Sequence, residues 1–459
     1  MEHSAVVRIY ATTQEPNYNA PWQSETPESG TGSGVVLQSG LVLTGAHVVA
    51  DATFIQVQKL SDPNKYLASV ESICHDADLA VLRVTGEHFM DDVTPVEIGV
   101  LPSLRDPVSV VGYPVGGEEI SVTQGVVSRV EVQRYAHSQR HLLAITVDAA
   151  INDGNSGGPV LMDGKLIGIA FQSLEDAENI GEMVPTPIID HFLRNAKSQP
   201  YVQVPGLGLI VQTLENPVLC RSLNLSPEQS GVLVGAVQFG SSSCGKVQVG
   251  DVMLEIGGHS IANNGTVRYR ELYRTAFDVL LGELAVGDSL TLSVLRDGDV
   301  IEIELSLTAA EFLVPRNSFD KCATYFVFGG IVFQTLSRDF LACWTDWWDR
   351  GPKEFLQLYY AGIISEEQQE VVVIGQVLAD EINVGYENCN AESVVCVNGI
   401  RPRNMRHFVD LVGESEGVID IRTSAEKRIV LDIDETQLAG PRILQRYNIS
   451  QDRSVDLRS

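Results

Sequence analysis

Short apolar segments separated by glycine, proline, asparagine and aspartate dominate the chain as far as about residue 185. Examples are SGVVL, GLVLTGAHVV, ADLAVLRV, DPVSVVGYPV, LLAITVDAA and KLIGIAFQS. Strands with little helical periodicity between them favour an antiparallel barrel or sandwich over alternating β-α-β units. The first segment with helical spacing is Pro187–Lys197, where proline opens the helix. We therefore predict a β-rich domain over residues 1–198 that ends in a helix.

Two smaller α+β units are predicted after a polar, proline-containing boundary, SQPYVQVPG. The first, residues 199–310, has a short helix in NPVLCRSLNL, a longer helix near Val267–Leu284 and a closing strand pair whose turn is DGD. The second, residues 311–435, repeats this order with a helical insertion. Similarity between GDVMLEIGGHSI and ESVVCVNGIRP indicates a degenerate internal duplication. The tail, residues 436–459, is polar and aperiodic, and is predicted to fray.

The charge balance excludes several classes of function. In 459 residues, 60 Asp and Glu outnumber 32 Lys and Arg, giving a formal charge of −28. Such a chain repels phosphate backbones and anionic lipid, so we expect no nucleic-acid partner. No apolar run approaches the roughly 18 residues of a membrane span, and the opening MEHSAVVRIY lacks the features of a secretory signal.

Cysteine usage indicates a reducing compartment. The seven cysteines are scattered and form no CxxC pair, which argues against a zinc site or a disulfide framework. We expect the cytoplasm or another reducing intracellular compartment, the nucleus and organelles included. No motif calls for a metal or a cofactor.

The most informative motif is Gly154-Asn155-Ser156-Gly157-Gly158-Pro159, between two predicted strands. A serine hydroxyl attacks a carbonyl only when a base removes its proton and donors receive the developing negative charge. Glycines beside Ser156 allow backbone N–H groups to converge on one point. We predict Ser156 as a nucleophile and an oxyanion hole at Gly154, Asn155 and Ser156, with the N–H groups of Gly154 and Ser156 as the main donors.

His47 and Asp78 are the predicted partners of Ser156. His47 lies in a turn of small residues after the strand LVLT, which suits a general base. Asp78 enters the apolar strand of ADLAVLRV, where an unpaired charge is costly, whereas Asp76 lies further out in the polar loop. The order His, Asp, Ser is that of chymotrypsin-type proteases. An α/β-hydrolase is excluded, because it needs its acid and histidine after the serine and a helix directly after it.

The chain resembles the Deg/HtrA serine proteases, most closely the plant-type members with two PDZ modules. The resemblance is carried by TGSGVVL, LTGAHVV, DADLAVLRV, VVGYPVGG, DAAINDGNSGGPV and IGIAFQS, and continues through FVFGGIVFQTLS, VLADEINVGYE and VNGIRPRNMRHF. It implies a mainly β fold, a chymotrypsin-like double β-barrel protease domain followed by two PDZ-like α+β domains. It implies ATP-independent hydrolysis of unfolded or damaged polypeptides, with His47, Asp78 and Ser156 as the triad. TGAH replaces the TNAH of many relatives, a change expected to leave the imidazole in place.

The sequence indicates less about substrate specificity than about the catalytic residues. By resemblance, the primary pocket is lined by Ile151 and by Ala170, Phe171, Gln172 and Ser173. None of these is acidic, so we expect a preference for a small or medium apolar side chain rather than lysine or arginine. Residues 113–125 and 174–183 correspond to the family's activation loops.

The PDZ-like domains raise two alternatives. PDZ domains capture a carboxylate on backbone N–H groups of a glycine-containing loop, and Leu207-Gly208-Leu209 and Gly329-Gly330 are candidates for such loops. Alternatively, these glycines are packed at the beginnings of strands. Likewise, Trp344, Trp347 and Trp348 at helical spacing indicate either core or a subunit interface.

The resemblance also implies a homo-oligomer, a trimer or a larger assembly built from trimers. Tyr18 and Trp22 either anchor that contact or hold a long loop against the barrel. Two rival functions keep the same fold: a proteolytically silent chaperone or scaffold, and an adaptor that uses only its PDZ modules.

Overall fold

The computed structural model of the chain describes residues 3–60, 62–114, 119–151, 154–173 and 180–458, without the side chains of residues 39, 172 and 173. The chain forms two compact units. One comprises residues 1–13 and 27–310, and the other residues 14–26 and 311–459. The division after residue 310 coincides with the predicted boundary between the second and third domains, whereas residues 199–310 belong to the same unit as the β-rich domain.

Two closed β-barrels account for the first part of the chain. The first contains β1 (Val6–Thr13), β2 (Glu28–Val36), β3 (Leu41–Thr44), β4 (Ala52–Lys59), β5 (Lys65–Cys74) and β6 (Leu79–Thr85), in the order β1-β2-β3-β6-β5-β4. The second contains β7 (Pro107–Gly112), β8 (Ser121–Arg134), β9 (His141–Val147), β10 (Pro159–Met162), β11 (Lys165–Ser173) and β12 (Gly181–Pro185), in the order β10-β11-β12-β9-β8-β7. The mainly β double-barrel fold predicted from the sequence is confirmed.

Apolar side chains on the strands build the barrel cores. Ile9, Val57, Leu79, Ile145 and Ile169 are all 0% exposed. Two 3₁₀ helices, Gln38–Gly40 and Ala46–Val48, flank β3. After β12, helix α1 (Thr186–Ala196) begins with proline in its first turn, as the sequence predicts.

The middle region, residues 199–310, contains one six-stranded antiparallel sheet and two separate two-stranded sheets. Its strands are β13 (Pro205–Gly206), β14 (Leu209–Thr213), β15 (Val232–Val237), β16 (Val252–Ile256), β17 (His259–Ser260), β18 (Thr266–Tyr269), β19 (Tyr273–Ala276), β20 (Ser289–Arg296), β21 (Asp299–Ser306) and β22 (Thr308–Ala309). The order in the six-stranded sheet is β14-β15-β16-β20-β21, with β17 paired to β16. The two-stranded sheets are β13-β22 and β18-β19. Helix α2 (Pro217–Ser222) lies where a short helix is predicted.

The prediction of a longer helix near Val267–Leu284 is wrong. The segment forms the β18–β19 hairpin and then a 3₁₀ helix, Phe277–Glu283. Tertiary contacts override the helical pattern, because the N–H of Val132 on β8 donates to Thr275 Oγ1 at 2.7 Å and the Tyr273 hydroxyl donates to Pro102 O at 2.9 Å.

The segment predicted as a domain boundary is attached to the first unit. The N–H of Ile73 donates to Pro200 O, and the N–H of Val202 donates to Ile73 O, both at 2.9 Å. Arg140 then donates to the carbonyls of Val204 and Pro205 at 3.1 and 2.9 Å. Residues 199–205 are therefore bound along β5 and the loop after β8.

The C-terminal region is a six-stranded antiparallel sheet with short helices. Its strands, in spatial as in chain order, are β23 (Tyr325–Phe328), β24 (Ile331–Thr335), β25 (Val372–Val377), β26 (Glu392–Val397), β27 (Val418–Thr423) and β28 (Arg428–Asp432). Helices α3 (Arg338–Leu341), α4 (Trp347–Arg350) and α5 (Lys353–Ala361) separate β24 from β25, α6 (Met405–Gly413) precedes β27, and 3₁₀ helices form at Glu381–Asn383 and Val455–Leu457. Phe340 and Leu341 are buried in a local core that Trp344 and Trp347 cover, whereas Trp348 is 59% exposed.

The tail does not fray. Helix α7 (Ile433–Arg446) buries Ala439 and Ile443, and the N–H of Ser454 donates to Tyr325 O at 3.0 Å. The sequence suggests disorder because the helix is mostly polar and carries Pro441. α7, with 14 residues, is the longest helix in the described ranges, and none of the helices there is long and apolar enough to cross a membrane.

Residues 14–26 pack against the C-terminal region, and Tyr18 and Trp22 both make contacts there. Gln334 Nε2 donates to Tyr18 O at 3.0 Å, and the Trp22 ring meets Tyr325 edge to face at 6.1 Å between centroids. Both aromatic residues therefore have contacts within one chain.

Candidate active site

His47 lies in the short 3₁₀ helix Ala46–Val48, directly after β3 and Gly45. Gly45 is in contact with the imidazole: a Cβ at this position would lie 2.6 Å from Cε1 and 2.8 Å from Nδ1 of His47. Any side chain at residue 45 would displace the ring from this position. With glycine at residue 45, the imidazole has room to lie beside Asp78.

Asp78 holds His47 through two hydrogen bonds. The backbone N–H of His47 donates to Asp78 Oδ1 at 2.8 Å, and His47 Nδ1 lies 2.7 Å from Asp78 Oδ2. The Asp78 residue is 1% exposed and has a left-handed backbone, with φ of 51°. This arrangement fixes the orientation of the ring and directs Nε2 away from the carboxylate.

Asp76, the alternative acid, has a different role. Its carboxylate lies 3.2 Å from Arg140 Nη1 and accepts the N–H of Val204 at 2.8 Å. Asp76 therefore holds the segment that leads into the middle region. Of the two acids, Asp78 is the one that contacts His47.

Burial and charge act in opposite directions on this pair. Burial by itself would lower the pKa of His47, but the charge and hydrogen bond of Asp78 outweigh it and raise the pKa of the imidazole. Burial would raise the pKa of Asp78, but the positive charge of His47 and of His137, with the hydrogen bonds from His47, lowers it. Asp78 is thus held as a carboxylate that stabilises an imidazolium.

Two further histidines, His75 and His137, lie beside this pair and were not among the predicted site residues. His75 Nδ1 is 3.0 Å from His137 Nε2, and the rings of His137 and His47 are 6.3 Å apart between centroids. His75 precedes Asp78 by three residues, so its spacing was visible in the sequence. His137 lies on the loop after β8, which only the fold brings close.

Ser156 lies in the turn between β9 and β10. Gly157, with φ of 79°, faces Thr44 Oγ1, the carbonyl of Ser33 and the N–H of Gly45, and a Cβ there would overlap the first two. The N–H of Gly157 donates to Ala170 O at 2.7 Å, and Ser156 O accepts the N–H of Ser33 at 3.0 Å. The turn of Ser156 is thereby fixed against the turn that carries His47.

Ser33 connects three parts of this site and was missed as a functional residue. Its hydroxyl donates to Gly154 O at 2.7 Å and accepts the N–H of Tyr113 at 2.8 Å, and its carbonyl accepts Thr44 Oγ1 at 2.7 Å. The side chain is fully buried. The only sequence signal was the small polar residue between glycines in TGSGVVL.

The imidazole and the serine hydroxyl are not hydrogen-bonded to each other. His47 Nε2 is buried and has no hydrogen-bond partner in the part of the chain that is described. The structure thus joins His47 to Asp78 and brings the Ser156 turn against Gly45, but does not complete the contact between Nε2 and Oγ.

The predicted oxyanion residues, Gly154, Asn155 and Ser156, all lie within the described ranges, which resume at residue 154. Asn155 is 0% exposed, and its Oδ1 and Nδ2 make no hydrogen bond within those ranges. Buried amide atoms without partners are costly. The Asn155 side chain therefore places two unpaired polar atoms within the turn that carries Ser156.

Three of the predicted pocket residues are described with their side chains, Ile151, Ala170 and Phe171. Each is buried, and Phe171 packs on Tyr135 at 4.5 Å between ring centroids. The side chains of Gln172 and Ser173 lie outside the described residues, as do residues 115–118 and 174–179 of the two predicted activation loops.

Two protein families match segments of the chain. A trypsin-like peptidase domain matches residues 32–169, and a PDZ domain matches residues 314–456. "Putative protease Do-like 3, mitochondrial" of Arabidopsis thaliana is 36% identical and covers 99% of this chain and 80% of its own length. "Protease Do-like 2, chloroplastic" of the same plant is 37% identical, with 99% and 75% covered. The chain belongs to the Deg/HtrA family of serine proteases.

Solved structures agree with this membership. "HtrA-type protease AlgW with tripeptide" is 26% identical with a TM-score of 0.53, covering 67% of this chain and 95% of its own. "HtrA-type protease AlgW with decapeptide" has a TM-score of 0.52 at 24% identity, covering 67% and 96%, and shows the shared fold. As a Deg/HtrA protease, the chain is a serine endopeptidase with a trypsin-like peptidase domain and a PDZ domain, as predicted. The PDZ match extends through the tail to residue 456.

The candidate peptide-binding loops of this Deg/HtrA protease differ from each other. Gly329 and Gly330 form a tight turn between β23 and β24, and Asn383 Nδ2 donates to Gly329 O at 2.8 Å. This is the packed arrangement, not an open carboxylate loop. Leu207 is buried, and Gly208, with φ of 69°, accepts the N–H of Gln238 at 2.8 Å.

Proposed function

We propose that this Deg/HtrA protein is an ATP-independent endopeptidase of protein quality control that cleaves unfolded or damaged polypeptides. In this mechanism His47 takes the proton of Ser156 as Oγ attacks the scissile carbonyl, and Asp78 stabilises the resulting imidazolium. The N–H groups of Gly154 and Ser156 stabilise the oxyanion, and His47 then protonates the leaving amine. The observation that carries the proposal is the buried Asp78 carboxylate, bonded to both the backbone and Nδ1 of His47.

The gap between His47 Nε2 and Ser156 Oγ is consistent with a resting enzyme. Hydrogen bonds of a catalytic site often form only with substrate bound. We expect substrate to draw the two groups together, because both turns are already in contact at Gly45 and Gly157.

The test is cleavage of unfolded casein by the full chain without ATP, compared with cleavage of a folded protein of similar size. Ser156→Ala should lower turnover by about 10⁴-fold or more, while Ser198→Ala, an exposed serine after α1, should leave it unchanged. A fluorophosphonate probe should label the wild type at Ser156. Wild-type turnover in Ser156→Ala would overturn the assignment, and an unlabelled, inactive wild type would favour the silent chaperone.

The domain arrangement is part of the proposal. The middle region, with its sheet β14-β15-β16-β20-β21, is proposed as the first PDZ-like module, which would make this a plant-type member with two such modules. Leu207-Gly208-Leu209 remains its candidate carboxylate loop. Fluorescent peptides with a free C-terminal carboxylate should bind to Ser156→Ala more tightly than their C-terminal amides, and equal affinities would exclude this role.

The proposal also includes the oligomeric state and the cellular compartment of the protein. We expect a homo-oligomer, a trimer or a multiple of trimers, so light scattering should give a mass that is a multiple of three chains of 50.0 kDa. The cysteines are free thiols, which suits a reducing compartment. Fractionation of cells that produce the full-length protein should find it there, and a monomer or an oxidising location would contradict these points.

A further inference from the structure

The middle region contains a cavity of about 490 Å³ between the Gly257-Gly258 turn and the β18–β19 hairpin. Arg268, Arg270 and Arg274 line it together with Glu271, His259 and Ser260. We call it the arginine cavity. Its volume is within the range of sites for small molecules, roughly 300–1,000 Å³.

The charge of the arginine cavity is opposite to that of the chain. Acidic residues outnumber basic ones by 60 to 32 overall, yet three guanidinium groups and one carboxylate line this space. Concave sites lined by one sign of charge concentrate ligands of the other sign. The lining therefore favours an anion.

The register of the β18–β19 hairpin is a second observation that favours a bound anion. Arg268 and Arg274 are direct partners across the β18–β19 ladder. Like charges at such positions destabilise a hairpin. A bound anion between the two guanidinium groups would convert this repulsion into attraction.

Each of the three guanidinium groups has at least one hydrogen-bond partner within the protein. Arg268 Nη2 donates to Glu271 O at 3.3 Å, Arg270 Nη2 to Glu283 Oε2 at 3.1 Å, and Arg274 Nη1 to Thr266 Oγ1 at 3.3 Å. Each guanidinium has five N–H donors, and these contacts use only some of them. Two of the arginines have a carboxylate neighbour, Arg268 with Glu271 and Arg270 with Glu283, whereas the contact of Arg274 is with a neutral hydroxyl.

The backbone of the hairpin turn is also unusual. Arg270 and Glu271 have φ of 47° and 60°, a conformation that residues with side chains rarely adopt. This conformation is part of the turn that places Arg270 in the lining of the cavity. Strained backbone of this kind clusters at ligand sites.

We propose that the arginine cavity binds the phosphate monoester group of a phosphorylated ligand. A phosphate monoester has a charge of about −1.5 to −2 at pH 7 and three acceptor oxygens, which suits a lining with three guanidinium groups. Arginine forms bidentate hydrogen bonds with phosphate. A carboxylate offers only two acceptor oxygens to the three guanidinium groups, two of which already have a carboxylate neighbour. The volume leaves room for the group that bears the phosphate.

Binding is tested by calorimetry at low ionic strength on the full chain carrying Ser156→Ala, which prevents cleavage of peptides. Phenyl phosphate should bind saturably, and benzoate, a carboxylate of similar shape, at least about tenfold more weakly. A phosphoserine peptide and glucose 6-phosphate then distinguish a modified polypeptide from a phosphorylated small molecule. Equal binding of benzoate, or no saturable binding of any phosphate ester, would overturn the proposal.

Variants locate the site. Arg274→Gln should weaken phenyl phosphate binding about tenfold or more, and Arg268→Gln combined with it should abolish binding. Arg221→Gln, the same change at an exposed arginine of α2, should have no effect. Binding that survives the double variant would place the anion elsewhere.

Thermal unfolding separates loss of the ligand from loss of the fold. Without ligand, Arg274→Gln should have a Tm equal to or above that of the wild type, because it removes a like-charge pair. Phenyl phosphate should raise the Tm of the wild type and of Arg221→Gln, raise that of Arg274→Gln by less at the same concentration, and leave that of the double variant unchanged. A ligand-free Tm for Arg274→Gln well below that of the wild type would show that these arginines serve stability instead.

Discussion

The Ser33 hydroxyl donates a hydrogen bond of 2.7 Å to the carbonyl oxygen of Gly154. This bond fixes the peptide between Gly154 and Asn155, one residue before the proposed nucleophile. The same hydroxyl accepts the N–H of Tyr113, so one buried side chain connects β2, the end of β7 and the Ser156 turn.

Ser33→Ala should lower kcat much more than it changes KM, because the carbonyl of Gly154 and the N–H of Tyr113 both lose their partner. We expect a loss of about 10²-fold in kcat, comparable to removal of one oxyanion donor, and a destabilisation of about 1–3 kcal/mol. Peptide hydrolysis and urea unfolding measure the two effects.

Ser29→Ala is the control for Ser33→Ala, since Ser29 lies on the same strand but is exposed. A kcat for Ser33→Ala that equals the control would show that the peptide after Gly154 keeps its orientation without this bond.

The pH dependence of kcat/KM should report the coupling between His47 and Asp78. His47 acts as a base only when neutral, and its pKa is raised, so activity should fall with decreasing pH at a midpoint above the usual value of about 6.5. In Asp78→Asn the cause of the raised pKa is removed while burial remains. The acid limb should then move to lower pH, and the plateau should fall by about 10⁴.

Asp163→Asn makes the same chemical change at an exposed turn of the second barrel, where Asp163 has φ of 51°. Asparagine accepts that conformation well, so its pH profile should match the wild type. An acid limb that stays in place in Asp78→Asn would refute the coupling.

Gly181→Ala should alter substrate selectivity. A Cβ at residue 181 would overlap the side chain of Ile151 and lie 3.1 Å from Ala149 O, so Ile151 must move. If Ile151 lines the primary pocket, relative kcat/KM for substrates that differ by a methylene or two at the cleavage position should change by about tenfold or more. Gly30→Ala, with open space around the new methyl group, should not change it, and unchanged selectivity in Gly181→Ala would remove Ile151 from the pocket.

Asp380 should dominate the acid stability of the C-terminal region. Its buried carboxylate is paired with Arg442 and lies 3.0 Å from Arg446 Nη1. The hydrogen bond from Arg442 lowers the pKa of Asp380 despite burial. The stabilisation is therefore complete above the unfolded pKa of about 3.9 and is lost as pH falls through the lower folded value.

Asp380→Asn should accordingly destabilise this region by roughly 2–3 kcal/mol at pH 7 and by less at pH 3, as followed by urea unfolding. Asp410→Asn, at an exposed position of α6, should have little effect at either pH. A destabilisation that does not shrink with acid would show that charge is not the cause.

Local sequence patterns predicted most of the strands, helix α1 and the pairing of Asp78 with His47. They failed where a distant segment decides the local structure. Residues 267–276 read as helix, but the bond between Val132 and Thr275 selects a hairpin. Nothing within residues 14–26 indicates that Trp22 meets Tyr325, about three hundred residues away in the chain, and the tail appears polar because only one side of α7 packs on the C-terminal region.

In the candidate site, too, the sequence indicated local features but not contacts between distant residues. The spacing of charged and small residues pointed to Asp78 over Asp76, since only Asp78 enters an apolar strand. It could not indicate that Ser33 would reach Gly154, because this contact spans 121 positions. Nor could it indicate that His137 would approach Asp78 from another barrel.

The contacts of Asp76 have a consequence for how the chain can be divided. Asp76 is two residues from Asp78, and together with Arg140 it binds the backbone of Val204 and Pro205. A fragment that stops near residue 198 would remove both backbone partners and leave Arg140 with unmet donors beneath the loop that positions the acid. Recombinant fragments intended to keep peptidase activity should therefore extend to residue 310. A force applied to the middle region would be transmitted through the same contacts to the loop that carries Asp78.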